Sequence, residues 1–101
     1  MDYIVVKIGS KGFKSYYLPI AGFLNQNKNI KVVALGKKVQ MAAYLCSIIQ
    51  KHGAMIEDVR ISVVELPENE KKERLRKPID VVMIEIYMIK NMFVPKVFSD
   101  S

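Results

Sequence analysis

Residues 3–24 read Tyr-Ile-Val-Val-Lys-Ile-Gly-Ser-Lys-Gly-Phe-Lys-Ser-Tyr-Tyr-Leu-Pro-Ile-Ala-Gly-Phe-Leu. Tyr3 to Ile8 is apolar and β-branched, the composition of a strand. Gly9-Ser10-Lys11-Gly12 interrupts it as a turn. The apolar positions then become Phe13, Tyr16, Tyr17, Ile20, Phe23 and Leu24. Steps of three and four mark an amphipathic helix. Pro19 removes one helical hydrogen bond and Gly22 weakens the segment. The apolar period nevertheless runs through the proline. The expected helix therefore covers 13–26 with a kink near Lys14–Ser15, rather than starting late at Pro19.

The same alternation continues along the chain. Asn25 to Asn29 is a polar turn. Ile30 to Leu35 is a second strand, too apolar to face water on both sides. Gly36 ends it. Lys38 to His52 is the clearest helix, with Val39, Ala42, Ala43, Cys46 and Ile49 at helical spacing and Gly53 as its natural C′ residue. Ile56 to Leu66 is a third strand, with Val59, Ile61, Val63 and Glu65 at alternate positions. Ile79 to Lys90 is a long fourth strand. Between them, Pro67 to Pro78 holds one apolar residue, Leu75, among its charges. Residues 91–101 form a tail with Phe93, Val94, Val97 and Phe98.

The order βαβαββ points to one α/β domain over 1–90, an α+β two-layer sandwich. Two helices would cover one face of a mixed four-stranded sheet. Right-handed crossovers would make the first three strands parallel pairs, and the last hairpin would be antiparallel. Residues 91–101 read as an apolar extension.

With 101 residues, half of them apolar, and a mean hydropathy of +0.11, the chain favours a packed core over disorder. No apolar run approaches the roughly 20 residues of a membrane span, and Met1-Asp2 argues against a signal peptide. Cys46 is the only cysteine. It excludes an internal disulfide or a cysteine zinc cluster, and fits a reducing, cytosolic setting. The net charge of +6 is polarised: residues 1–53 hold eight lysines and one acid, hence +7, while residues 54–101 sum to −1. A basic half suggests a polyanion partner, nucleic acid before an anionic membrane.

No catalytic constellation stands out. His52 sits where a helix C-terminus uses a cation. Cys46 lies on the apolar helix face, as a buried thiol would. Glu65, Asp80 and Glu85 suit cross-strand charge partners better than a carboxylate dyad. No metal-ligand spacing or cofactor motif occurs, and Gly9-Ser10-Lys11-Gly12 lacks the P-loop pattern. Two strand-to-helix junctions remain. The first carries Ser10, Lys11 and Lys14, the second Gly36, Lys37 and Lys38. A solvated turn needs no function, but two Gly-Lys junctions on one edge of a parallel pair would form one cationic surface. Their backbone N–H groups would also point at an anion. The charged loop adds Lys71, Lys72, Arg74, Arg76 and Lys77, with a net charge of +2. Such an arm could enter a DNA minor groove.

These residues resemble the Alba family of archaeal chromatin proteins. Ile8-Gly9-Ser10-Lys11, Tyr16 and Phe23-Leu24-Asn25-Gln26 are similar to its Ile-Gly-Lys-Lys turn, its tyrosine and its Leu-Asn-Gln helix end. Ile30 to Ala34, Leu35-Gly36-Lys37 and Ala42-Ala43 resemble its second strand, basic Arg-Gly-Arg junction and Ala-rich helix. Ile84-Glu85-Ile86-Tyr87-Met88-Ile89-Lys90 is similar to its final Ile-Glu-Ile strand. The likeness spans residues 3–90 in order.

The resemblance implies a homodimer that binds double-stranded DNA, and often RNA, with little sequence preference and no enzyme chemistry. Lys11 would match the second loop lysine and Lys37 the second junction arginine. Ser10 stands in place of the first loop lysine, a phosphate contact and acetylation target. Leu35 stands in place of the first junction arginine, with Lys38 one position later. Pro19 and Gly22 depart from the helix formers usual there, and the tail runs past the usual end. The expected location is cytoplasmic and chromosome-associated. The rival readings are an RNA-binding subunit of a processing particle, and a protein-interaction module built on the tail.

Overall fold

The structure, a computed structural model, describes residues 2–66 and 79–94. Its elements are β1 (Tyr3–Lys7), α1 (Phe13–Asn25), β2 (Asn29–Leu35), α2 (Val39–Lys51), β3 (Ala54–Leu66) and β4 (Ile79–Lys90). A 3-10 turn, Gly36–Lys38, leads into α2.

The α1 helix runs unbroken through Pro19. Ser15 and Pro19 share the exposed side of α1, so the carbonyl left without a donor faces water. The opposite side buries Tyr16, Tyr17, Ile20, Ala21 and Leu24. The helix closes with Asn27 at φ 63, where Asn27 N–H donates to Leu24 at 2.9 Å and Lys28 N–H to Phe23 at 3.0 Å. This is the Schellman arrangement, and asparagine tolerates its left-handed position. At the end of α2 that position falls to Gly53, φ 138.

The sheet is mixed, with strand order β1-β2-β4-β3. β1 and β2 are parallel, with Ile4 opposite Ile30 and Val6 opposite Val32. β3 and β4 form the expected antiparallel hairpin. The second parallel pair does not form. β4 inserts between β2 and β3 and runs antiparallel to both. Hydrophobic patterning explains the exchange. β4 buries Ile84, Ile86 and Met88 and suits the centre, whereas β3 presents Glu57, Asp58 and Arg60 to water and suits an edge.

Both helices pack on one sheet face. Ile30, Val32, Ala34, Ile84, Ile86 and Met88 from the sheet share a core with Tyr17, Ile20, Leu24, Leu45 and Ile49. Each fully buried Ile or Leu contributes roughly 1.5–3 kcal/mol. A bulge between Ile56 and Asp58 shifts the register of β3. Ile56 is opposite Met88 and Val59 opposite Ile86, so two residues of opposite parity face the same side. Without the extra residue, Ile56 would turn to solvent.

Candidate nucleic-acid interface

The first junction is organised by one phenol. Tyr16 Oη accepts the Gly9 N–H at 2.7 Å and the Lys11 N–H at 3.1 Å. Tyr16 is buried on α1, so the turn is tied to the core through its side chain. This corrects part of the sequence reading. The Gly9 and Lys11 amides are occupied internally and do not point at an anion. The junction instead offers the exposed side chains of Ser10, Lys11 and Lys14.

The second junction turns on Gly36, whose φ of 55 is left-handed. The 3-10 turn then exposes Lys37 and leaves Lys38 half-buried at the entry to α2. Neither α1 nor α2 has an acid in its first turn, and neither has a side-chain N-cap. Lysines therefore sit at the positive ends of two helix dipoles. That placement costs a few tenths of a kcal/mol each and is relieved by an anion. No acidic residue occurs anywhere between Asp2 and Glu57.

The strand directions gather these parts at one end of the sheet. β1 and β2 are parallel, so both junctions leave from the same end. β3 reaches that end too, because β4 is antiparallel to both β2 and β3. The pairing of β2 with β4 ends at Leu35, opposite Met83. Beyond it the hairpin continues alone through Val63–Val82, Val64–Val81, Glu65–Asp80 and Leu66–Ile79. Four further residues extend it about 13 Å past the sheet. Lys71, Lys72, Arg74, Arg76 and Lys77 lie outside the described residues. Glu65 and Asp80, directly opposite at the base of the arm, are like charges at close quarters.

Other groups take structural roles. Cys46 is 1% exposed, and burial pushes its thiol up to about 12, so it stays protonated at neutral pH. His52 is the C-cap of α2, and its Nδ1 is 2.9 Å from Tyr17 Oη. Burial raises the Tyr17 phenol above its ordinary value. Glu85 pairs with Lys31 at 3.0 Å and holds that ammonium in its charged form. Among the described residues no cluster of His, Cys, Asp or Glu could hold a metal, and no helix is long and apolar enough to cross a membrane.

The tail begins inside the domain. Asn25 Nδ2 donates to the Val94 carbonyl at 2.7 Å, and Val94 N–H donates to Asn25 Oδ1 at 2.8 Å. Val94 is fully buried, so it packs on its own domain and is not available for docking. Phe93 beside it is exposed, and Val97 and Phe98 lie outside the described residues.

Two features escaped the sequence reading. On the open sheet face, Tyr87 lies under the Arg60 guanidinium at 5.0 Å and the Lys31 ammonium at 5.6 Å, with Tyr3 edge-on at 5.1 Å. These residues are far apart in sequence, and only the β2-β4-β3 order brings them together. The other is Tyr44, an exposed aromatic on α2 whose ring meets Phe13. Its position on the helix was visible, but its helix-to-helix neighbour was not.

No protein-family model matches the sequence, and no curated protein matches it either. Solved structures do. Alba from Thermoplasma volcanium superposes with a TM-score of 0.74 and 23% identity, covering 86% of this chain and all of that one. ALBA1 from Trypanosoma brucei superposes with a TM-score of 0.63 and 19% identity, covering 86% of this chain and 68% of that one. The likeness establishes that this chain has the Alba fold.

Proposed function

We propose that this chain is a divergent Alba-type protein: a dimeric, sequence-tolerant binder of double-stranded DNA that acts as an architectural protein. One observation carries the reading. Two lysine-bearing junctions, each opening an acid-free helix N-terminus, leave the sheet at the end from which the β3–β4 arm projects. Lys11, Lys14, Lys37 and Lys38 contact phosphates there, with Ser10 beside them. Lys71, Lys72, Arg74, Arg76 and Lys77 on the arm reach into a groove. The role needs no cofactor, small-molecule substrate or membrane, and its setting is the cytoplasm, on the chromosome.

Dimerisation has its own support. Ile61 is 68% exposed and Val63 66% exposed, and both line up with Val59 and Val82 on the helix-side face of the hairpin beyond the cover of the helices. An apolar stripe on a protruding arm is what a second copy of the chain would bury. Ile61→Glu should then give a folded monomer in sedimentation. An unchanged mass for wild type and variant at monomer size would reject the dimer.

The function is tested by anisotropy titration of a short random-sequence DNA duplex at several salt concentrations, with duplex RNA as competitor. Affinity falling steeply with salt, with DNA winning or tying, is the expected result. RNA winning clearly would move the function to RNA processing or protection. No binding at low salt would reject the junction surface.

A further inference from the structure

We propose that the Phe13–Tyr44 ring pair is a stacking platform for an unpaired base, so that the favoured ligand carries unpaired nucleotides beside a duplex. The inference rests on the phosphate-binding reading of the junctions and adds a contact that reading lacks. Three rings climb from the core to the surface. Tyr17 is fully buried; Phe13, half-buried, stacks on it at 5.8 Å with an interplanar angle of 25°. Tyr44 is 56% exposed and meets Phe13 at 5.5 Å and 57°. The outer ring is therefore held from below by packed aromatics and is open above.

Its setting is cationic. Phe13 is the first residue of α1 and lies in sequence between Lys11 and Lys14. Tyr44 lies in the second turn of α2, which opens directly after Lys37 and Lys38. Helical side chains lean toward the helix N-terminus, so the Tyr44 ring tilts toward the junction end. No acid stands between Asp2 and Glu57 to repel a phosphate. The Phe13 contact also places Tyr44 on the α1 side of α2, away from the apolar stripe of the arm.

A ligand that offers phosphate and a flat ring together is a nucleotide. In an intact duplex the rings are stacked inside and only their edges are accessible. An unpaired nucleotide at an end, bulge or loop is the form that can lie on Tyr44.

The test compares a blunt DNA duplex with the same duplex carrying a short single-stranded overhang, of DNA in one arm and RNA in another. 2-Aminopurine is placed in the overhang. The wild type should bind the overhang substrates more tightly than the blunt one and quench the fluorophore. Tyr44→Ala should weaken overhang binding about 5- to 150-fold, abolish the quench and leave blunt-duplex affinity within about twofold. Tyr44→Phe should retain both. The overhang with the larger preference identifies the source as DNA or RNA. An overhang-to-blunt ratio near one in the wild type, or a ratio untouched by Tyr44→Ala, would overturn this inference alone. Wild-type protein that fails to bind even the blunt duplex at low salt would reject the junction reading and this inference with it.

Discussion

Tyr16 and Gly9 are joined by a hydrogen bond of 2.7 Å from the glycine N–H to the phenol oxygen, which also takes the Lys11 N–H at 3.1 Å. A core residue thus sets the shape of a surface turn. The lysine side chain of that turn is aimed by a group whose ring belongs to α1.

Removing the phenol oxygen separates shape from charge. Tyr16→Phe leaves two part-buried N–H groups unpaired, at a cost of about 1–3 kcal/mol. Urea unfolding should show that loss, and duplex affinity of the still-folded variant should drop several-fold. Full affinity in a destabilised variant would mean that the turn does not need its tether for binding.

The second junction has a distinct signature. Lys37→Ala with Lys38→Ala should weaken binding to all sequences alike and reduce the salt slope by about two. An unchanged slope would remove these lysines from the interface.

The tail strap is a matter of stability. Asn25→Ala breaks both bonds to Val94 and should cost about 1–3 kcal/mol. A Cβ at Gly53 would stand 2.9 Å from the Phe93 carbonyl oxygen and 3.1 Å from that of Met92. Gly53→Ala should therefore destabilise as well, since backbone rather than a flexible side chain must move. Unaltered urea midpoints in both variants would show that the tail contributes nothing.

Alkaline pH reports on Cys46. Its folded pKa is about 12 against an ordinary 9.0. The raised value means that its contribution is complete below pH 9 and is lost as pH rises from there. Between pH 9 and 10, stability should approach a loss of about 1.4 kcal/mol per pH unit. Tyr17, also raised by burial, adds to the loss only above its ordinary 10.0. Cys46→Ala should be less stable at neutral pH because of the cavity, yet lack this slope. A slope that persists in the variant would assign it to another group.

Element type and order were legible because their signals are local. Strand and helix periods, the glycine after α2 and the apolar period through Pro19 all describe neighbours in the chain. The two cationic junctions were legible for the same reason: a glycine and nearby lysines follow each strand, as Gly9-Ser10-Lys11 and as Gly36-Lys37-Lys38. The tail was harder. Its apolar residues suggested a docking surface, but Asn25, 69 residues away, claims Val94 for the domain itself.

Pattern and composition were enough for a βαβαββ sandwich with a lysine-rich first half that holds one acid, Asp2. Strand order was not contained in them, since either β3 or β4 could satisfy the bonding edge of β2. The choice fell to β4 because it carries Ile84, Ile86 and Met88 into the core beneath the helices, while β3 carries the charges that tolerate an edge. That same choice assembles Lys31, Tyr87 and Arg60. The Phe13–Tyr44 ledge likewise depends on α1 and α2 lying side by side. Each is a contact between residues distant in sequence, where side-chain packing and strand neighbours, rather than local propensity, set the geometry.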